Sequence, residues 1–278
     1  MDHVEHGAFQ PRVLGRTGLS VGAMGISASY GVPTSGVEEA FEHGVNYLYW
    51  GSMRRNAFGQ AIRNLAPQRD RMVLVIQSYS RFPGLLRRSF ERALRQLKMD
   101  HADILLLGMW NHAVPPRMLH AARDLKRRGL VRFLAASTHN RPFAASLGET
   151  PDIDVLHVRY NAVHRGAEQD IFPHLPATAP QRGCRAGDPA AAGPGIVGFT
   201  ATSWRQLLGH KKIPPGERVP TATDCYRFVL SNPAVSLCMS GPKTAEHVKD
   251  VIAAIKGGPM SEQELAWMRR IGDAIHGR

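Results

Sequence analysis

Short apolar runs alternate along the chain with longer stretches whose apolar residues recur at helical spacing. Residues 71–77 contain a continuous apolar run that ends in a polar residue, which is typical of a strand covered on both faces. Residues 84–98 follow, with leucine, phenylalanine and alanine spaced as on one face of a helix and arginines between them. The pattern therefore predicts a repeat of strand and helix.

Eight segments of strand character occur in this alternation, joined through predicted helices by short linkers. Such an order indicates a parallel sheet, and eight strands predict a closed (β/α)₈ barrel, the TIM-barrel fold. Residues 12–21 carry two short β-type runs around a Gly/Thr turn, which predicts an N-terminal β-hairpin closing the bottom of the barrel. The predicted barrel strands are residues 23–27, 47–50, 71–77, 102–108, 131–136, 153–158, 195–199 and 235–239.

Capping-box spacing predicts where two of the helices begin. Ser35 with Glu38 marks the start of the helix that ends at Gly44, and Ser261 with Glu264 marks the start of the last helix. A further helix is predicted over residues 203–208, directly after the seventh strand.

The whole chain, residues 1–278, is predicted to form one barrel domain, because α/β barrels commonly reach about 250 residues. Residues 177–194 interrupt the alternation with Ala, Gly and Pro and almost no large apolar residue. A loop of this length is either a functional lid or an insertion. Because it carries no aromatic residue and no convergent polar group, we expect a flexible insertion.

The chain is basic, with 35 Lys and Arg against 23 Asp and Glu and a formal charge of +12. This charge favours anionic partners in general. Much of the arginine excess, however, lies on predicted amphipathic helices, and no nucleic-acid-binding signature occurs, so a nucleic-acid partner is not expected. No apolar stretch has the length of a membrane span, and the first residues lack a basic flank before an apolar run. We therefore expect a cytoplasmic protein without a membrane partner.

Metal and disulfide chemistry find no support in the sequence. The three cysteines, Cys184, Cys225 and Cys238, are widely spaced and form no CxxC pair. No HxH or HExxH spacing occurs among the histidines, so no metal site is predicted.

Polar and aromatic residues are concentrated where the predicted strands end. Barrel enzymes place their chemistry at these carboxyl ends, and the stretch 44–59 makes Tyr49, Trp50 and Arg54 the first candidates. The alternative is that such rims are polar in any barrel and that Trp110 only fills a wide pocket. The other residues of this group are Gln77, Tyr79, Asn111, His112, Ser137, Thr138, His139, Asn140, His157, Tyr160 and Asn161.

Seven short landmarks, in this order along the chain, resemble those of the aldo-keto reductases. The resemblance covers about residues 10 to 275 and implies a barrel that reduces carbonyl compounds with NADPH. The landmarks are residues 14–21, Gly44-Val-Asn46, Arg69-Asp-Arg71, the positions Ser89, Ala93, Leu94 and Leu97, then Asp103, then Arg159-Tyr-Asn161 with His164-Arg165, and Ser231-Asn-Pro233 with Ser240-Gly-Pro-Lys243.

The same resemblance shows that the family's catalytic residues are replaced. The expected Asp, Tyr, Lys and His stand at positions that read Tyr49, Arg54, Gln77 and Gly108. Arginine stays protonated and is a poor proton donor, while glutamine does not lower a neighbour's pKa as lysine does. We therefore expect reduction of ordinary test aldehydes to be near background.

A different set of side chains is then needed for any catalysis at this rim. Tyr49 or Tyr79 is predicted as an acid, and His112 or His139 as a base or oxyanion donor, with Tyr49 first and His112 second as proton donor. The predicted catalytic residues are Tyr49, Arg54, Gln77 and His112, and the predicted substrate pocket consists of Trp50, Tyr79, Trp110, Asn111 and His139.

The predicted cofactor is NADP(H), as the resemblance implies. Ser240, Lys243 and Thr244 stand where barrels of this kind bind phosphate, with His247 nearby, and Lys243 is expected to meet the ribose phosphate. At the nicotinamide end the family's Ser-Asn pair reads Ser137-Thr138, its Gln reads His157 and its stacking aromatic reads Ala201. One end of the site is kept and the other is rebuilt.

Two functions from different classes remain open. The first is an oxidoreductase linked to NADP(H), with a rebuilt site for a small-molecule substrate. The second is a catalytically inactive barrel that binds a ligand or a partner protein.

Overall fold

Eight parallel strands form a closed barrel in this computed structural model, which describes residues 7–51, 53–175 and 193–277. The barrel order is β10-β3-β4-β5-β6-β7-β8-β9, and it is preceded by the antiparallel hairpin β1 and β2. The predicted (β/α)₈ barrel with an N-terminal hairpin is thereby confirmed. The strands are β1 Arg12–Val13, β2 Ser20–Val21, β3 Met24–Ser27, β4 Tyr47–Trp50, β5 Val73–Ser78, β6 Ala102–Leu107, β7 Val131–Thr138, β8 Val155–Arg159, β9 Gly195–Phe199 and β10 Leu237–Ser240.

The helices surround the barrel and bury their apolar faces against the outer surface of the strands. The described helices are α1 Thr34–Glu42, α2 Asn56–Asn64, α3 Pro83–Leu97, α4 Pro116–Arg127, α5 Arg141–Glu149, α6 Ala167–Asp170, α7 Ala222–Leu230, α8 Ala245–Gly257 and α9 Glu262–His276.

The bottom of the barrel is closed by the hairpin, as predicted. Leu14 and Val21 are fully buried and belong to the cluster of apolar side chains that fills the barrel interior, together with residues such as Val75 and Ile104. Arg12 ties the hairpin to the wall, since its guanidinium donates to the carbonyl oxygens of Val235 at 2.6 Å and Leu230 at 3.3 Å. The open end therefore lies at the carboxyl ends of the strands.

Several of the landmarks have structural roles. Gly44 takes a φ of +87° at the end of the α1 turn. Asn46 then links three segments, because its side chain accepts from the Gly22 N–H and donates to the carbonyl oxygens of Ser20 and Arg71. These contacts fix where β4 enters the barrel, and so where its last residues stand at the open end.

Two local predictions were wrong. Residues 203–208 are not a helix: Thr200, Ser203, Trp204 and Arg205 have positive φ, and only a 3₁₀ turn at Gln206–Leu208 follows. A right-handed helix excludes this left-handed backbone.

The capping box at Ser35 also does not form. Helix α1 begins at Thr34 with Pro33 as its N-cap and no side-chain cap, and the Thr34 hydroxyl instead donates to the carbonyl oxygen of Ala57. The box at Ser261 and Glu264 is present as predicted.

The predicted insertion falls mainly outside the described residues, which resume at Gly193. There the carbonyl oxygen of Gly193 accepts from the Arg16 N–H at 2.9 Å, and Pro194 forms a bridge with Gly15. No helix in the described part of the chain combines the length and apolar character needed to cross a membrane.

Candidate functional site

A cavity of about 780 Å³ opens at the carboxyl ends of the barrel strands. It extends from Tyr49 and Gln77, on β4 and β5, to the N-terminal end of α8. Nine of the predicted site residues line it: Tyr49, Gln77, Tyr79, Ser137, His139, His157, Ser240, Lys243 and His247.

Six predicted site residues lie outside the wall of this cavity. Trp50 and Arg54 face a second cavity next to it. Trp110 is buried below the guanidinium of Arg81, and His112 is exposed beside Trp110. The Asn111 side chain accepts from the His139 N–H. Thr244 caps α8.

A hydrogen-bonded pair lies at the end of the main cavity that β4 and β5 form. The Tyr49 hydroxyl donates to Oε1 of Gln77. Arg54 lies behind them, donating to the Gln77 carbonyl oxygen at 3.0 Å and to that of Ser89 at 3.2 Å, with its guanidinium 5.5 Å from the Trp50 ring. Tyr49, Gln77 and Arg54 therefore form one connected unit.

Electrostatics couple Arg54 to its neighbours. Burial lowers the pKa of Arg54 from its ordinary value and the charge of Arg92 lowers it further, whereas the charge of a Tyr49 phenolate raises it. Attraction between two groups is mutual, so the guanidinium stabilises Tyr49 in its ionised form. Arg54 is thus suited to support proton release by Tyr49, although it is no proton donor itself.

Gly108 and Tyr79 depend on each other. A Cβ atom at position 108 would lie 2.4 Å from the Tyr79 ring and 2.7 Å from Nε2 of Gln77. Any side chain at position 108 is therefore incompatible with the present position of Tyr79, whose ring occupies the space next to Gly108.

The floor of the cavity is formed by a buried pair from opposite sides of the barrel. The Tyr47 hydroxyl and Nε2 of His157 are hydrogen-bonded at 2.8 Å, and His157 is only 5% exposed. Burial lowers the pKa of His157 to about 3 and raises that of Tyr47 well above its usual value. Both groups are therefore neutral at physiological pH.

This burial of a neutral histidine predicts a specific acid sensitivity. The unfolded chain takes up the His157 proton near pH 6.5, while the folded protein takes it up only near pH 3, so stability is lost as the pH falls between these values. Between pH 7 and pH 4.5 we expect His157 to lower the free energy of unfolding by roughly 2–3 kcal/mol. Urea unfolding of the parent and of His157→Gln at both pH values measures it. Equal losses in the two proteins would contradict the assignment.

The far end of the cavity is organised around the start of α8. The Ser240 hydroxyl donates to the Gly25 carbonyl oxygen at 2.8 Å, and the Lys243 N–H donates to Nδ1 of His247 at 3.2 Å. The Thr244 hydroxyl accepts from the His247 N–H, so it serves as the helix cap. An exposed lysine at a helix N-terminus favours an anionic group.

The loop after β6 positions its side chains differently from the prediction. Nδ1 of His112 lies 3.0 Å from the Ala113 carbonyl oxygen, and the ring meets the Trp110 ring edge-on at 5.5 Å. Asn111 accepts from the His139 N–H at 2.9 Å and from the Thr138 hydroxyl at 3.2 Å. These contacts join the β6 and β7 loops at the rim.

Sequence reasoning missed several aromatic residues of the wall. Trp204 lines the cavity from the left-handed segment that was predicted to be a helix, and Phe199 stacks on His139 with ring centres 6.1 Å apart. Tyr30 lies over Gly241, where an added Cβ would be 2.3 Å from its ring. The isolated Trp204 three residues after Ala201 was the one available signal that an aromatic residue remains on this side.

The described residues around the cavity are suited to an organic ligand more than to a metal ion. Within residues 7–51, 53–175 and 193–277, no group of three or more His, Cys, Asp or Glu side chains is arranged to hold a metal ion. Burial and the charge of Arg159 lower the pKa of His139, which favours its neutral form at the cavity wall.

Comparison with known proteins identifies relatives of this chain. The sequence model of the aldo/keto reductase family matches residues 14–178. Aldo-keto reductase AMT2 of Alternaria alternata is 27% identical over 190 residues, which are 65% of this chain and 45% of that protein. Aldo-keto reductase dtxS3 of Metarhizium robertsii is 25% identical over 202 residues, which are 67% of this chain and 48% of that protein. The chain thus spans about half the length of the curated relatives it matches.

Solved structures show the same architecture. Aldo-keto reductase AKR11C1 from Bacillus halodurans superposes with a TM-score of 0.73 in its holo form and 0.71 in its apo form. In both cases 95% of this chain and 96% of that chain are covered, at 18% sequence identity. At this identity the likeness concerns the fold.

Proposed function

Because the chain belongs to the aldo/keto reductase family, we propose that it is an NADP(H)-linked oxidoreductase whose small-molecule substrate reacts at a centre built from Tyr49, Gln77 and Arg54. The observation that carries the proposal is the Tyr49 hydroxyl, hydrogen-bonded to Gln77 in the wall of the main cavity with the Arg54 guanidinium behind it. This arrangement provides a proton donor although the family's own donor is absent.

The three side chains have separate tasks in this proposal. NADPH, when bound, supplies the hydride for a carbonyl carbon. Tyr49 gives its proton to the carbonyl oxygen, for which its O–H turns away from Oε1 of Gln77, the acceptor that positions the phenol before the substrate binds. Arg54 stabilises the tyrosinate that remains, through the attraction described above. A positioned proton donor of this kind typically contributes 10² to 10⁴ in rate.

The residues around the main cavity fit a dinucleotide phosphate. The cavity volume, about 780 Å³, lies within the usual range of about 300–1,000 Å³ for small-molecule sites. Lys243 and His247 at the start of α8 would hold the adenosine phosphate, while Phe199 and Trp204 offer aromatic faces on the cavity wall. The family's Ser-Asn pair is not reproduced, but Ser137 lines the wall with its hydroxyl accepting from the Met109 N–H at 2.9 Å.

Replacing Lys243 by alanine is expected to weaken NADPH binding about ten- to hundredfold, and NADH binding much less. A charge-assisted contact to a phosphate is worth roughly 1.5–3 kcal/mol, and each 1.4 kcal/mol is about tenfold in affinity. Calorimetry with both dinucleotides measures the difference. Lys249→Ala is the matched control, since Lys249 lies on the same helix, pairs with Glu246 and is not part of the cavity wall. Equal losses for NADPH and NADH would mean that Lys243 does not distinguish them.

The proposed activity is tested with a panel of aldehydes, ketones and alcohols, following the absorbance of NADPH or its formation from NADP⁺. We expect ordinary test aldehydes to react at a rate near background, because the family's catalytic Asp, Tyr, Lys and His are replaced. At least one larger carbonyl compound of the panel should react well above background. A panel without any turnover, from a protein that binds NADPH, would contradict the oxidoreductase proposal.

A further inference from the structure

A second cavity, of about 1,050 Å³, lies beside the main one and outside the barrel. It is a groove between α2 and α3, bordered by the ends of β4 and β5, and it shares only Gln77 and Tyr79 with the main cavity. Of the residues in the proposed reaction, Arg54 and Gln77 also line this groove, whereas its remaining lining residues have no part in that reaction.

The groove is lined by a concentration of positive charge. Its wall contains five arginines and, among the described residues, no aspartate or glutamate. The charges come from three parts of the chain that the barrel brings together: the segment before α2 and α2 itself, the segment before α3, and α3. The arginines are Arg54, Arg63, Arg81, Arg88 and Arg92.

These arginines have no carboxylate partner within 4.0 Å in the described part of the chain, whereas many arginines elsewhere do. For example, Arg128, directly after α4, pairs with Glu91 of α3 at 2.7 Å, and Arg69, before β5, pairs with Asp103 of β6 at 2.9 Å. Other described arginines, such as Arg87 and Arg95, also lack a carboxylate, so the distinguishing feature is that five such charges line one groove.

Neutral carbonyl groups hold three of the five guanidiniums in place. Arg54 donates to two carbonyl oxygens as described, Arg63 donates to the carbonyl oxygen of Gln96 at 3.0 Å, and Arg81 donates to those of Gly108 and Met109 at 2.9 and 2.6 Å. These bonds fix position without neutralising charge. The effect of Arg92 on the pKa of Arg54 shows that the charges repel one another across the groove.

Apolar surface is exposed at the same place. Phe82 and Leu85, at the start of α3, line the groove and are 64% and 54% exposed. Arg88 and Arg92 follow one helical turn apart, so one bound group can contact both guanidiniums. A ligand that matches all of these features has at least two negative charges and an apolar or aromatic part.

We propose that this groove is a second binding site, for an organic phosphate ester whose phosphate is held between Arg88 and Arg92 on α3 and Arg54 or Arg63 opposite, and whose apolar part lies on Phe82 and Leu85. Phosphate is favoured over a single carboxylate because it carries about two charges and presents several oxygens to the paired N–H groups of arginine. The site is distinct from the proposed phosphate position at Lys243.

Phenyl phosphate is the probe, titrated calorimetrically into the whole protein in the presence of saturating NADPH. We expect binding that weakens as salt is raised and that is at least tenfold weaker in Arg88→Gln/Arg92→Gln. Arg87→Gln/Arg95→Gln on the same helix is the control matched in charge, since neither arginine is part of the groove wall. We expect the control to stay within about twofold of the parent, and thermal melting to show that all variants remain folded.

Three results would overturn the proposal. One is no binding of phenyl phosphate at low salt, and another is equal weakening in the control, which would indicate attraction by overall charge alone. The third is binding that occurs in a parallel titration without NADPH but not with it, and that is lost in Lys243→Ala, which would place the probe in the main cavity. Inorganic phosphate should bind more weakly than phenyl phosphate, and equal affinity would overturn the assignment of an organic ligand.

Discussion

Replacing Tyr49 by phenylalanine is expected to lower the rate of NADPH-dependent carbonyl reduction by about 10² to 10⁴, which is the usual contribution of a positioned proton donor. The affinity for NADPH should change little, because the substitution removes one hydroxyl that bonds Gln77 and leaves the ring in the cavity wall. The measurement is kcat on the carbonyl compound that the parent reduces fastest.

Two other variants distinguish Tyr49 from the alternative donors. Tyr79→Phe removes the second hydroxyl at the cavity mouth, and His112→Ala removes the exposed imidazole beside Trp110. We expect each to retain most of the parent rate. Fast reduction that survives Tyr49→Phe, or loss of activity in His112→Ala, would show that the proton comes from elsewhere.

Replacing Asp103 by alanine is expected to destabilise the protein by about 3–5 kcal/mol, the usual cost of breaking a buried ion pair. Asp103 is only 1% exposed, and its carboxylate accepts from the Leu74 N–H at 2.9 Å and from the guanidiniums of Arg69 and Arg132 at 2.9 and 3.0 Å. The substitution leaves these donors without their acceptor between β5 and β6. Urea unfolding of the purified variant measures the loss.

Asp124→Ala provides the comparison for this experiment. Asp124 pairs with Arg127 and Arg128 on the outer surface of α4, and exposed pairs of this kind contribute below about 1 kcal/mol. The two aspartates therefore separate a buried charge network from a solvated one. A loss in Asp103→Ala as small as that in Asp124→Ala would contradict the role given to Asp103.

The barrel was predictable from sequence because local pattern and overall fold agree. The run at residues 71–77 becomes β5, Val73–Ser78, and it is buried on both sides as its continuous apolar character indicates. The landmark residues Asn46 and Asp103 join adjacent segments of backbone, so they are tied to the fold more than to any reaction. Their presence identifies the architecture whatever residues stand at the site.

The site was less predictable because side-chain direction depends on packing between distant segments. Hydrogen bonds link Tyr49, Arg54 and Gln77, but their positions in the sequence alone did not show that Arg54 turns toward the space between α2 and α3. Likewise, no local pattern indicated that Tyr79 would fill the space above Gly108.

The left-handed segment gives a second example of this limit. The sequence around Trp204 predicted a helix. The backbone there has positive φ instead, and it places the indole on the cavity wall. The fold of that segment is set by tertiary contacts such as the burial of Ser203 and Leu207, which no local pattern reveals.

A crystal structure of the protein with NADPH tests the central claim most directly, because the claim is that one cavity holds the cofactor and the rebuilt donor together. We predict the dinucleotide in the main cavity, with its adenosine phosphate at Lys243 and His247 and its nicotinamide ring bordered by Tyr49 and Gln77. A dinucleotide in the arginine-lined groove, or none bound at saturating concentration, would contradict the account.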